Sequence, residues 1–354
     1  MVSKEIQITI VRENEGFLKA TESEFLSILK QVCPGTNLRL GLESIAKAKR
    51  GALIVVENDF LPKYLDGGFK INGRFTPQRL MELAKMDGAI ILSKDLKRIT
   101  HANVTLAPDT RVPTRETGTR HKAAERTAKI TGTLAITISE RRNDTTLYYK
   151  NVRHNLRPTS EILHRTNETL HILEKQRELF DVYLETLNYL EVTNEINLDQ
   201  AIKVIQKGAA IMKILKSQER NLIELGSDGA TLKFRLKEIL KDVEKETDLI
   251  IRDYTRLDLK KSRKLLDSLS YEDVIDKNNI IITLAQNENA RIESIKGWRV
   301  LSKIPVPERE IGSIISEMKE LKRILEIKPQ ELERICDKET SDIITEGIRK
   351  IKNI

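Results

Sequence analysis

The spacing of apolar positions changes period several times in the first 150 residues. Short runs that are continuously apolar or strictly alternating read as strands: "GALIVV" at 51–56, "MDGAIILS" at 86–93, "ITHANVTLA" at 99–107, "TLAITIS" at 133–139 and "TTLYYKN" at 145–151. Helical signals stand between them. Thr21 and Glu24 form a capping box for a helix that stops before "CPG", and a second helix carries Leu38, Leu42 and Ile45. Thr76 caps a third helix, which has Pro77 at its first position and runs through Leu80, Leu83 and Ala84. This alternation predicts an α/β domain, a mixed sheet flanked by helices, ending near Asn151.

After "RHNLRPTS" the texture changes. Leu170, Leu173, Phe180, Leu184 and Leu187 keep a three-to-four-residue spacing, and "LDQAIKVIQKGAAIMKILKSQ" and "TLKFRLKEILKDVEKETDLIIRDY" extend it to about residue 265. Strand signals almost vanish. The expectation is an all-α bundle or spine, with "LGSDGA" as its clearest turn, followed by a small helical domain from "GWRVLSKIPVP" onward, punctuated by Pro305, Pro307 and Pro329.

Length and charge narrow the picture only modestly. A chain of 354 residues has room for two or three domains, and its formal net charge of +8 suits a nucleotide or nucleic-acid binder, although Glu and Lys are interspersed almost everywhere. Cys33 and Cys336 form no CxxC pair, so neither a disulfide framework nor a zinc site is expected. The first residues contain no apolar signal core, and no stretch approaches the roughly 18 apolar residues of a membrane span. The expectation is a soluble protein of the reducing cytoplasm, with no membrane partner.

The stretch "TGTRHKAAERTAKITG" at 117–132 raises a chemical question. It reads as a helix opening at Thr119, with Arg120, His121 and Lys122 on its first turn. A helix start already carries unpaired N–H groups and about half a positive charge, so cations there are unfavourable unless an anion completes the arrangement. Phosphate is the commonest such anion. Other candidates lie at the junctions "LDGGFKINGRF", Asp87-Gly88 and "ISERRND", the last offering Arg141 and Arg142; each of these alone also fits an ordinary turn or surface. The chain has no GxxxxGK[ST] loop, no GxGxxG and no HExxH, which removes the P-loop and zinc-hydrolase readings. One acid beside a cationic helix start is a minimal kit for metal-assisted phosphoryl transfer.

"DGGF", "KMDGAIILS", "ANVTLAPD", "ETGTRHKAAERTAKITG" and "TLYYKN" together, in order and spacing, resemble the cyclase domain of the DNA integrity scanning family of diadenylate cyclases. The resemblance is dense over residues about 20–151 and implies the condensation of two ATP into cyclic di-AMP and two pyrophosphates. It implies an N-terminal extension at 1–20, the cyclase domain at 21–151, a helical linker or spine at 152–295 and a helix-hairpin-helix-like domain at 296–354. Asp87, Gly88 and Ala89 then form the DGA motif, with Asp87 holding Mg2+ or Mn2+ and assisting the 3′-hydroxyl. Thr119, Arg120 and His121 lie at the triphosphate and its metal, Lys122 stands beside them, and Ser139 and Arg142 contact the nucleotide after the following strand. Two cyclase domains must face each other, each holding one ATP, and the family's homo-oligomers are octamers. "MVSKEIQITIV" is read as a candidate added edge strand.

Three departures from the family pattern stand out. Lys122 occupies the place of a usual arginine and lacks the planar fork for bidentate phosphate contact. Ser139-Glu140-Arg141-Arg142 sets a carboxylate where the family has arginine. No glycine lies between Cys336 and Ser341, where the family's hairpin has Gly-x-Gly, and "CDKETSD" places Asp337, Glu339 and Asp342 in the corresponding turn. DNA binding is therefore expected to be weak, resting on Lys338, Arg349, Lys350 and Lys352. The competing readings are an ATP-sensing DNA-binding or scaffolding protein of reduced activity, and a nucleotidyltransferase making another dinucleotide.

Overall fold

The computed structural model describes residues 18–193, 195, 198–255, 257–284 and 295–352. "MVSKEIQITIV" and the side chain of Lys352 lie outside the described residues. The chain divides into two compact units, one formed by residues up to Thr166 together with Arg220–Thr231, the other by Asn167–Glu219 and Leu232 onward.

The first unit runs α1 (Glu22–Val32), α2 (Asn37–Lys47), β1 (Ala52–Val56), β2 (Leu65–Asp66), β3 (Phe69–Arg74), α3 (Pro77–Leu83), β4 (Ala89–Leu92), β5 (Arg98–Leu106), α4 (Thr119–Thr131), β6 (Leu134–Ile138), β7 (Thr145–Tyr149) and β8 (Val152–Leu156). The capping box at α1 is formed as expected, with the Thr21 hydroxyl and the Glu24 carboxylate each accepting the other residue's backbone N–H. Such a cap stabilises by about 1 kcal/mol.

The sheet order is β2-β5-β4-β1-β6-β7-β8, with β3 also on β5. Strands β1 and β4 are parallel and the remaining pairings antiparallel, which makes the sheet mixed. All five residues of β1 are buried because both faces are covered. Ala52, Ile54 and Val56 face a core with α1, α2 and α3. Leu53 and Val55 face a second core with Ala124 and Ala128 of α4. The sheet continues past Asn151 through β8, and "FKINGR", read from the sequence only as part of a glycine-containing turn, is strand β3. Both are polar edge strands, which the hydrophobic pattern cannot signal.

The second unit is helical. Its elements are α5 (Thr159–Val192), α6 (Leu198–Glu224) and α7 (Ala230–Leu240), each contributing residues to both units, then α8 (Val243–Tyr254), α9 (Leu259–Ser268), α10 (Tyr271–Ile275), α11 (Lys277–Thr283), α12 (Trp298–Leu301), α13 (Glu308–Met318), α14 (Leu321–Glu326), α15 (Pro329–Leu332) and α16 (Lys338–Lys352). Leu170, Leu173, Phe180 and Leu187 are buried, as their spacing predicts.

Two expectations about this unit need correction. The run at 231–254 is two helices, because Asp242 adopts φ 62° and breaks it. "CDKETSD" is not all turn: α16 opens at Lys338, and the Ser341 N–H donates to the Asp337 carbonyl at 2.9 Å. Glu339 in that first turn suits the positive end of a helix, which is how the acidic residues are accommodated. Among the described residues no helix is long and apolar enough to cross a membrane.

Candidate active site

Helix α4 is fixed from its far end and left open at its start. Arg126 Nε donates to the Val112 carbonyl at 2.9 Å, and Lys129 Nζ to the Pro113 carbonyl at 2.8 Å. Lys129 also pairs with Glu125 at 2.7 Å, both nearly buried, while Thr114 bonds to Glu125. The loop leading into α4 is thus tied to the helix's later turns. At the start, the N-cap is Gly118 in an extended conformation, with no side-chain cap and no acidic residue in the first turn. Thr119, Arg120, His121 and Lys122 therefore surround backbone N–H donors that no side chain closes.

Arg120 joins two of the candidate segments. Its Nη2 lies 3.2 Å from Asp87 Oδ1, so the DGA turn and the start of α4 form one site. The Asp87 side chain is 97 % exposed, and a pair so open to water is weak and readily exchanged for a cation or a phosphate. Gly88 holds φ +84°, and a Cβ there would lie 2.8 Å from the Asn103 carbonyl carbon. A side chain is excluded both by backbone conformation and by space. Gly68 of "DGGF" packs on the same stretch, where a Cβ would meet the Ala102 carbonyl oxygen at 2.7 Å. The Ala89 side chain is fully buried in the core, leaving only its backbone for a ligand. Gly51 makes room for the arginine, since a Cβ would stand 2.5 Å from Arg120 Nη1.

His121 points inward. Its Nδ1 lies 2.9 Å from the Tyr148 hydroxyl and 2.9 Å from Thr137 Oγ1. Tyr148 donates to Glu116 Oε1 at 2.8 Å, and Arg153 Nε donates to the same oxygen at 2.6 Å. Burial lowers the His121 pKa, so the ring is neutral near pH 7. Burial alone would raise Glu116, but hydrogen bonds from Arg153 and Tyr148 hold it below the ordinary carboxylate range. Burial, together with the bond to Glu116, pushes the Tyr148 phenol well above its usual value.

Ser139 stands one residue past β6, whose Thr137 meets His121 of α4. Its Oγ accepts the Arg142 N–H at 3.3 Å in a turn closed by Ser139 N–H to the Asp144 carbonyl. Arg142, 60 % exposed, pairs with Asp144 at 3.3 Å, so a phosphate would compete with that carboxylate. Glu140 is exposed. The opposing fields of Asp144 and Arg142 both reach His121. Asp87 and Arg120 are thus joined by a contact, and Ser139 and Arg142 by another, while His121 lies buried beneath the start of α4. Gly51, Glu116, Thr137, Asp144 and Tyr148 were given no role from the sequence. Glu116 and Tyr148 lie inside quoted motifs, but their connection to His121 is made only by the fold.

A divalent cation fits this surface on limited terms. Among the described residues no three His, Cys, Asp or Glu side chains form a metal-holding group. Asp87 offers an open carboxylate, and Asp144 Oδ1 is buried without a hydrogen-bond partner. A hard cation that takes most of its ligands from phosphate and water suits such a sparse donor set.

Residues 39–153 match the family described as DisA bacterial checkpoint controller nucleotide-binding, and residues 156–292 match the DisA bacterial checkpoint controller linker region. The chain is 38% identical over 340 residues to the DNA integrity scanning protein DisA of Clostridium acetobutylicum, covering 94% of this chain and 95% of that protein. It is 39% identical over 348 residues to the protein of that name from Acetivibrio thermocellus, covering 95% and 97%. A solved structure of DacA from Staphylococcus aureus is matched over 36% of this chain and 86% of that one, at 23% identity and a TM-score of 0.30, too slight a likeness to argue from.

Proposed function

The chain belongs to the family of the DNA integrity scanning protein DisA and is a diadenylate cyclase, a nucleotidyltransferase acting on ATP, and on that premise we propose how its residues carry the reaction. The open start of α4, with Arg120 and Lys122, takes the triphosphate. Ser139 and Arg142 approach it from the turn after β6. Asp87 and His121 would hold a divalent ion, Mg2+ or Mn2+, which would supply neutralisation of the charge developing on the phosphates. Asp87 also orients the ribose 3′-hydroxyl and draws off its proton. That oxygen attacks the α-phosphorus of the other ATP, the bond to the bridging oxygen of the β-phosphate breaks, and pyrophosphate leaves; the second ATP repeats the step and closes the ring.

The observation that carries this reading is the Arg120–Asp87 contact on an open surface. A single copy presents one such half-site, so two copies face to face would bring each hydroxyl to the other's phosphate, and an octamer would contain four such pairs. Incubating the full chain with ATP and Mg2+ or Mn2+ should yield cyclic di-AMP by mass, with a rate per protomer that collapses on dilution. A linear product, or full activity from a sedimenting monomer, would overturn the respective part.

Coupling to DNA is proposed only in a weak form. The α15–α16 junction contains no glycine, and Asp337, Glu339 and Asp342 lie at or just after it. Glycine is what lets hairpin N–H groups approach a phosphate closely. Binding to linear or branched duplexes should be weak and fall steeply with salt; tight, salt-tolerant binding lost on deleting residues after about 305 would contradict this.

A further inference from the structure

The hydrogen-bond chain behind His121 has a direction that its chemistry fixes. Glu116 Oε1 receives Arg153 Nε at 2.6 Å, and a carboxylate engaged by a guanidinium is ionised and can only accept. Tyr148 has a single proton and donates it to that oxygen at 2.8 Å. The phenol oxygen, 2.9 Å from His121 Nδ1, is therefore left as an acceptor toward the ring. Thr137 Oγ1, also 2.9 Å from Nδ1, has lone pairs that can accept the same ring proton. The only proton available for the Tyr148–His121 contact is the ring's own, on Nδ1. Nε2, which has no hydrogen-bond partner among the described residues, then carries the lone pair.

We infer that Glu116 is a positioning residue: by taking the Tyr148 proton it holds His121 as the Nδ1–H tautomer, with Nε2 unprotonated and directed to serve the nucleotide's phosphates or their cation. This rests on the reading of His121 as a site residue. It deepens that reading by naming what makes the ring usable, since the wrong tautomer presents a donor where an acceptor or ligand is required. The chain also links the site to Arg153 of β8, which carries the guanidinium that keeps Glu116 ionised.

The test reads the tautomer directly, in protein free of metal and nucleotide, by long-range 1H–15N correlation of the His121 ring at a pH where it is neutral. The native chain should show the Nδ1–H pattern. Glu116→Leu removes the acceptor, so Tyr148 turns its proton onto Nδ1 and the pattern should change to Nε2–H, with kcat falling about 10- to 100-fold, the usual effect of losing an orienting partner behind a ligand. Glu116→Gln keeps an acceptor oxygen and should keep both the Nδ1–H pattern and most of the rate, a rescue that a merely structural role would not predict. If Glu116→Leu fails to fold, Tyr148→Phe keeps the packing and should shift the tautomer ratio toward Nε2–H. An Nε2–H pattern in the native chain, or an unchanged pattern in Glu116→Leu or Tyr148→Phe, overturns the proposal. A tautomer that changes in Glu116→Leu while turnover does not would instead overturn the role given to His121, which separates the two failures.

Discussion

Helices α4 and α12 begin alike: a glycine at the N-cap, no side-chain cap from that position, and an arginine in the first turn. Their surroundings differ. At α12 the Asp253 carboxylate accepts the N–H groups of Gly297, Trp298 and Arg299 at 2.8, 2.7 and 2.9 Å. Arg299, 1 % exposed, is paired with the equally buried Glu191, which also accepts the Tyr254 hydroxyl at 3.0 Å. At α4, among the described residues, no side chain caps the backbone donors, and the ion pair Arg120 makes is with the exposed Asp87. A helix start whose donors are met by the protein itself is a joint in the structure. One left open beside half-buried cations is a place for an anion from outside. The local sequence does not separate the two; the carboxylate that another helix supplies does.

The largest expected effect breaks the closed start. Arg299→Ala leaves Glu191 buried without its partner and should lower stability by about 3–5 kcal/mol, read as the shift in denaturant midpoint at constant slope. A loss below about 1 kcal/mol would mean that water or a neighbour compensates the carboxylate, and the contrast with α4 would weaken.

At the open start the effects should fall on turnover instead. Asp87→Asn should reduce cyclic di-AMP formation by at least about a hundredfold, the scale seen when one preorganised electrostatic group is removed. Stability should change by no more than about 0.5 kcal/mol, because the side chain is exposed. Normal product formation by this variant would sink the site assignment.

Gly51→Ala tests the same place more gently. The added methyl would stand 2.5 Å from Arg120 Nη1, and the guanidinium, as the far end of a flexible side chain, should move away and lose its position toward Asp87. A fall in turnover of about tenfold with unchanged melting is expected, since displacements of an ångström are costly in an oriented site. Unchanged turnover would show that Arg120 does not act from the position seen here.

Much of this was legible in the sequence, for a physical reason. The capping box at Thr21, the fully apolar β1 and β4, and the turn-helix signature at 117–132 are local and carry their cause in neighbouring residues. Strands β3 and β8 escaped because edge strands facing water need no apolar alternation. The break at Asp242 and the early start of α16 are set by backbone geometry that propensity does not encode. The site divides in the same way. Arg120 and Asp87 are visible as motifs, whereas the path from His121 through Tyr148 to Glu116 joins residues 27 and 32 positions apart and exists only once α4 lies on the sheet.

The smallest effect concerns Lys122, which stands where the family pattern has arginine. Both residues carry one positive charge, so long-range attraction for a triphosphate is the same; what differs is the planar fork, which can grip two phosphate oxygens at once and loses less freedom in doing so. Neither Asp87 nor any other acid is paired with Lys122 among the described residues, so the substitution breaks no ion pair there. Lys122→Arg should therefore leave kcat unchanged or raise it by no more than a few-fold, with any gain appearing first as a lower KM for ATP and fading as salt is added. The salt dependence separates a real contact from a change in folding, which added salt would not reverse. A large fall in turnover would mean that Lys122 already makes a contact only an ammonium can make, and that the open start of α4 is tuned to lysine in this chain.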